Sequence, residues 1–110
     1  MNNVSLVGRL TKDPITKFAK GKKDVTVSTF TLAVPRTYNR DEADFIRVVT
    51  FGRTAEIVDD YFRKGARVGI TGRIQTGSFE NKDGDTVYTT DVIAETIEFC
   101  DSKKDDERRR

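Results

Sequence analysis

Four aromatic residues, Tyr38, Phe45, Phe51 and Phe79, lie among lysines and arginines in segments that read as strands and their connecting loops. Flat rings stack on unpaired bases whatever the base, and neighbouring cations neutralise the phosphates between them. The residue types therefore point to a surface that grips an unstacked polynucleotide. Tyr38 stands in the polar loop PRTYNRDEA with no apolar period around it, so its ring has no core to enter. Phe45 and Phe51 share a strand face with Arg47. A cation on a buried face is costly, so that face is expected to be wet. Phe79 opens a hairpin, where a tip aromatic can fold over a bound strand.

The cations that would meet phosphate are Lys17, Lys20, Lys22 and Lys23 in one basic loop, with Phe18 either stacking or anchoring that loop. Arg9, Arg36, Arg47, Arg53, Arg67 and Arg73 are candidate contacts elsewhere, and binding through them would weaken with salt. Catalysis has little to stand on. The chain has no His, no nucleophile motif and no phosphate-cradling Gly-rich loop ending in Lys-Ser or Lys-Thr. The acidic pairs Asp41-Glu42, Asp59-Asp60 and Asp83 with Asp85 do not converge in any ligand spacing, so neither a metal nor another cofactor is expected.

Length and composition frame these residues. A chain of 110 residues is one domain, and 35% hydrophobic against 35% charged residues leaves a modest core that a partner subunit would help to cover. The net charge is only +2, yet the signs are sorted along the chain. Residues 1 to 36 hold seven basic groups against two acids, and residues 63 to 79 hold four against none. Acids prevail between and after those blocks, so a fold that joins the blocks would present one positive face. The single Cys100 cannot form an intrachain disulfide, and MNNVSLVGRL has the marks of neither a signal peptide nor a membrane span. A cytoplasmic, nucleoid-associated protein without membrane contact is the expectation.

The elements that must position the rings follow from periodicity. Val4 to Leu10 reads as a strand closed by the turn Lys12-Asp13-Pro14, and KFAKGKKD as a hairpin loop centred on Gly21. Val25 to Val34 and Asp44 to Phe51 are further strands with alternating faces. Thr54 to Lys64 is predicted helical, with Ala55, Val58, Tyr61 and Phe62 as its apolar stripe, Thr54 as N-cap and Gly65 as the stop. Arg67 to Ser78 alternates but is interrupted by Gly69, Gly72 and Gly77, and Asn81-Lys82-Asp83-Gly84 signals a hairpin returning through Val87 to Phe99. The expected fold is all-β, a five-stranded oligonucleotide-binding (OB) barrel with one short helix between strands 3 and 4. It occupies residues 1–100, and residues 101–110, which lack any apolar side chain, form a disordered charged tail.

The words Asn3-Val4-Ser5-Leu6-Val7-Gly8-Arg9-Leu10, Phe30-Thr31-Leu32-Ala33-Val34 and Phe45 through Glu56, with Gly72-Arg73-Ile74-Gln75-Thr76 and Tyr88-Thr89-Thr90, stand in a characteristic order. In these the chain resembles the bacterial single-stranded-DNA-binding protein family from Asn3 to about Phe99. The resemblance implies stacking roles for Tyr38, Phe45, Phe51 and Phe79, three of which carry tryptophan in several members. It also implies a homotetramer built from dimers, with the first strand, Asn3 to Val7, pairing across the dimer interface. Typical members continue through a long Gly- and Pro-rich linker to an acidic tip that recruits repair proteins. This chain ends in DDERRR and resembles a short form, so recruitment through that tip is not expected. Two functions compete: a non-enzymatic, sequence-independent coat for single-stranded DNA in replication, recombination, repair or DNA uptake, and an OB-fold interaction module of a primosome or recombination complex with weak DNA binding.

Overall fold

Alternation of apolar and polar residues makes strands of most of the chain. The computed structural model describes residues 1–19 and 25–100. These form β1 (Val4–Leu10), β2 (Ile15–Ala19), β3 (Val25–Pro35), β4 (Ala43–Phe51), α1 (Gly52–Tyr61), β5 (Arg67–Glu80) and β6 (Thr86–Phe99). The expected five-stranded barrel with its helix after the third strand is therefore corrected: the described residues form six strands, and the helix follows the fourth. The added strand is β2. Lys17 and the nearby Gly21 read as a loop, but Ile15 to Ala19 pair with β3 from Ile15↔Thr29 to Ala19↔Val25. An edge strand needs backbone pairing and tolerates lysine on its open side, so composition alone hides it. The expected tail, residues 101–110, lies outside the described residues, as do Lys20, Lys22 and Lys23.

The strands form one sheet in the order β1-β5-β6-β4-β3-β2, with β1 also meeting β3 at Arg9↔Ala33 and Leu10↔Leu32. Strand alternation sends even-numbered residues inward, where Phe30, Leu32, Val48, Val68, Ile70 and Val92 are buried together. Thr50, also inward and fully buried, donates its hydroxyl to the Ser28 carbonyl at 2.8 Å. The β5–β6 ladder slips at Thr71/Gly72, a bulge that bends the pair where glycine permits close approach.

A helix of ten residues cannot stand alone, and α1 is held by Ala55, Val58 and the following Phe62, all buried. It starts two residues before the predicted Thr54 and ends before Lys64. Its N-cap is the extended Phe51, without a side-chain cap bond, and Gly52 takes the left-handed φ of 61° that lets strand turn directly into helix. Tyr61, predicted to join the stripe, is exposed. Arg63 lies beyond the helix, yet its Nη1 donates to the carbonyls of Asp59 and Phe62 at 2.7 Å each, satisfying groups the helix end leaves open. The side chain of the same Asp59 accepts from the Thr16 hydroxyl at 2.8 Å, which ties β2 to the helix.

Candidate nucleic-acid interface

Residues directly opposite in antiparallel strands point to the same side of a sheet, so register decides which side chains meet. Along β3–β4 the pairs Val27↔Phe51, Thr29↔Val49, Thr31↔Arg47 and Ala33↔Phe45 all lie on the outward side, where Val49 is nevertheless buried by its neighbours. The neighbouring strands extend these rows. Lys17 stands opposite Val27, Arg9 opposite Ala33 and Arg67 opposite Arg9. Across β6, Ile93 lies beside Val49 and opposite Arg73. The outward side therefore collects Arg9 from β1, Lys17 from β2, Phe45, Arg47 and Phe51 from β4, and Arg67 and Arg73 from β5.

The rings on this side are available. Phe45 is 70% exposed and Phe51 46%, although each is a strand phenylalanine that a core would ordinarily claim. A groove of about 580 Å³ crosses the same surface, with Ile15, Lys17, Thr29, Thr31 and Arg47 among its lining residues. A second groove includes Ala33, the cross-strand partner of Phe45, and has Arg9, Arg36, Arg40 and Arg67 among its lining residues. Arg9 also donates to the Gly65 carbonyl at 2.8 Å, which fixes its side chain over the β1–β5 edge.

Phe79 reaches the same side through the β5–β6 hairpin, by Phe79↔Val87, and is 54% exposed. The hairpin tip is built as the sequence signal demands. Gly84 adopts φ 83°, and Asn81 Oδ1 accepts from the amides of Asp83 and Asp85, both at 3.0 Å. Tyr38, 79% exposed, tips the loop between β3 and β4.

Three expected contacts are placed differently. Phe18 is exposed, but it pairs with Thr26 and so lies on the opposite side of the β2–β3 hairpin from Lys17, Val27 and Phe51. Arg53 is exposed on α1 rather than on the sheet. Arg36 is engaged within its own loop. Its Nε and Nη2 donate to Asp44 Oδ1 at 3.1 and 3.0 Å, and its Nη1 donates to Glu42 Oε2 at 2.9 Å and to the Tyr38 hydroxyl at 3.2 Å. The hydrogen bond to Asp44, followed by that to Tyr38, holds the guanidinium pKa above its ordinary value.

Sequence reasoning missed Asp91. This carboxylate lies on the outward side of β6, with Oδ1 3.7 Å from Arg47 Nε. Alternation in Thr89-Thr90-Asp91-Val92-Ile93 gives its side of the strand, but only the parallel β4–β6 register brings it to Arg47. Gln75, opposite Asp91, likewise accepts from Arg73 Nη1 at 2.9 Å. Among the described residues no group of three or more His, Cys, Asp or Glu side chains could hold a metal ion.

The expected subunit contact has its own geometry. β1 pairs with β5 from Val4↔Gly72 to Arg9↔Arg67, but meets β3 only at Arg9 and Leu10. Among the described residues, no strand pairs with the second edge of Val4 to Gly8, and Ser5 and Val7 are exposed there. Asn2 continues the β5 side, donating to the Ile74 carbonyl at 2.8 Å and accepting from its amide at 2.9 Å.

Exposed rings and cations thus share one side of the sheet, an arrangement suited to stacking the bases of a single-stranded nucleic acid. The chain belongs to the single-strand binding protein family, whose model matches residues 1–100. It is 50% identical over 102 residues to a single-stranded DNA-binding protein of Clostridium perfringens, covering 93% of this chain and 67% of that one. A single-stranded DNA-binding protein of Clostridium tetani is also 50% identical, over 92% of this chain and 71% of its own length. Single-stranded DNA-binding protein 2 of Staphylococcus aureus is 47% identical, over 94% and 74% respectively.

Proposed function

We propose that this protein binds single-stranded DNA without sequence preference, stacking bases on exposed rings and neutralising phosphates with the cations around them. It is a binding protein and not an enzyme, in keeping with its family. The observation that carries the reading is the outward row structure of β3, β4 and β6, in which Phe45, Arg47 and Phe51 share one exposed side. Phe79 and Tyr38 extend the platform from the hairpin and the β3–β4 loop. Each stacked base contributes roughly 1–3 kcal/mol, and each phosphate neutralised steepens the salt dependence. Arg9, Lys17, Arg47, Arg67 and Arg73 are the cations this surface offers to the backbone.

Coating DNA in this way keeps it unpaired and shielded during replication, recombination, repair or uptake, and a cytoplasmic, nucleoid-associated setting goes with that role. Among the described residues no helix is long and apolar enough to cross a membrane. The assembly that suits the role is a homotetramer built from dimers, in which the first strand, Asn3 to Val7, pairs along its open edge with its counterpart in a second copy. The test of the binding function is a titration of labelled oligo-dT and of duplex DNA of equal length at several salt concentrations. Tight, salt-sensitive binding of the single strand alone is expected, and equal affinity for both would overturn it.

A further inference from the structure

Arg36 reads in the sequence as one more phosphate contact. Its surroundings say otherwise. Both carboxylates that flank it across the loop mouth, Glu42 and Asp44, are bound to its guanidinium at 2.9 and 3.0 Å, so its charge is answered inside the protein. Its backbone is committed as well, the Arg36 amide donating to the Glu42 carbonyl at 3.0 Å. Beyond these, Nη1 reaches along the loop to the hydroxyl of Tyr38. The turn between them is closed by Glu42 N to the Asn39 carbonyl and by Asp41 N to Asn39 Oδ1, each 3.1 Å. One guanidinium thus joins the start of the loop, its end and the polar tip of its aromatic residue.

We infer that Arg36 is a positioning residue: clamped between Glu42 and Asp44, it holds Tyr38 by its hydroxyl so that the faces of the ring stay open for stacking. This rests on the reading of Tyr38 as a base-stacking residue. Tyr38 sits on a loop of exposed residues with no core contact to order it. A ring on such a loop loses conformational freedom when it stacks, and a tether that imposes the bound arrangement in advance removes part of that loss. The clamp also gives the two loop acids a role that charge alone would deny them. On a DNA-binding protein, carboxylates near the ligand weaken binding by repulsion, whereas here they hold the strut that presents the ring.

The two accounts differ in sign, which makes them separable. Wild type, Arg36→Gln, Glu42→Gln/Asp44→Asn and Tyr38→Ala, together with Arg36→Gln in the Tyr38→Ala background, are titrated with labelled oligo-dT across a salt series. Subunit number and melting temperature are recorded for each. As a positioning residue, Arg36 is expected to lose roughly threefold to tenfold in affinity on conversion to Gln, with an unchanged slope of log affinity against log salt and no further loss once Tyr38 is Ala. Neutralising Glu42 and Asp44 is expected to weaken binding as well. Tighter binding by Glu42→Gln/Asp44→Asn would overturn the inference, as would a slope lowered by about 0.7 in Arg36→Gln, the signature of a lost phosphate contact to a single strand. Arg36→Gln binding like wild type would overturn it too. Failure of the wild-type protein to prefer single strands would instead remove the function on which the inference depends.

Discussion

Replacing Asp91 with Asn should make the protein bind single-stranded DNA more tightly. The carboxylate lies 3.7 Å from Arg47 Nε on the outward side, and Arg47 is itself mostly exposed. An exposed pair of this kind contributes at most about 1 kcal/mol, all of which a phosphate must displace to use Arg47. A phosphate settled on Arg47 would lie roughly 6–7 Å from Asp91, where repulsion in water-like surroundings adds about 0.7 kcal/mol before screening. Salt reduces that second term, because the Debye length at physiological ionic strength is about 8 Å. The two effects overlap, and their combined size of about 1–1.4 kcal/mol corresponds to a gain of about five- to tenfold at low salt. Anisotropy of labelled oligo-dT measures it directly. In an Arg47→Gln background the gain should shrink to the repulsive part. Weaker binding by Asp91→Asn, in a protein of unchanged melting temperature, would refute the reasoning and give the carboxylate a positive role in holding Arg47 in place.

Two further predictions concern the frame that carries the surface. A Cβ at Gly72 would run into the Ile93 carbonyl oxygen and lie 2.8 Å from its carbon and 3.0 Å from Ala94 Cα, all backbone atoms of β6. Since backbone cannot swing aside, Gly72→Ala should cost about 3 kcal/mol or more in urea unfolding and lower DNA affinity by shifting the β5–β6 hairpin that carries Phe79 and Arg73. Thr50→Val keeps the shape of a fully buried side chain but removes its 2.8 Å hydrogen bond to the Ser28 carbonyl, with an expected loss of about 1–2 kcal/mol in the same assay and unchanged binding.

How much of this was legible in the sequence depended on whether the deciding interaction was local. Strand alternation placed Phe30 and Leu32 on one face, and put Phe45, Arg47 and Phe51 together on another, because period two is written in the residues themselves. The Asn81–Gly84 hairpin was equally clear, since its chemistry is contained in four residues. β2 was not, because its pairing with β3 owes nothing to apolar content. The helix began early because Gly52, rather than a capping Thr54, makes its entry. Phe18 was grouped with its lysine neighbours by proximity along the chain, although alternation sends it to the side opposite Lys17. Arg36 and Asp91 show the same limit for charge. Composition counts them as one cation and one anion, but their effect depends on partners that only loop closure and register bring within 4 Å.

The central claim is that the rings on the outward side of β4 hold bases. Its most direct test is the affinity of Phe45→Ala/Phe51→Ala for a long oligo-dT, with subunit number and melting temperature measured in parallel. Both side chains are exposed, so the fold should survive their removal. Loss of two stacking platforms at roughly 1–3 kcal/mol each predicts affinity reduced by about thirtyfold or more in an intact, fully assembled protein. Unchanged affinity in that protein would contradict the account.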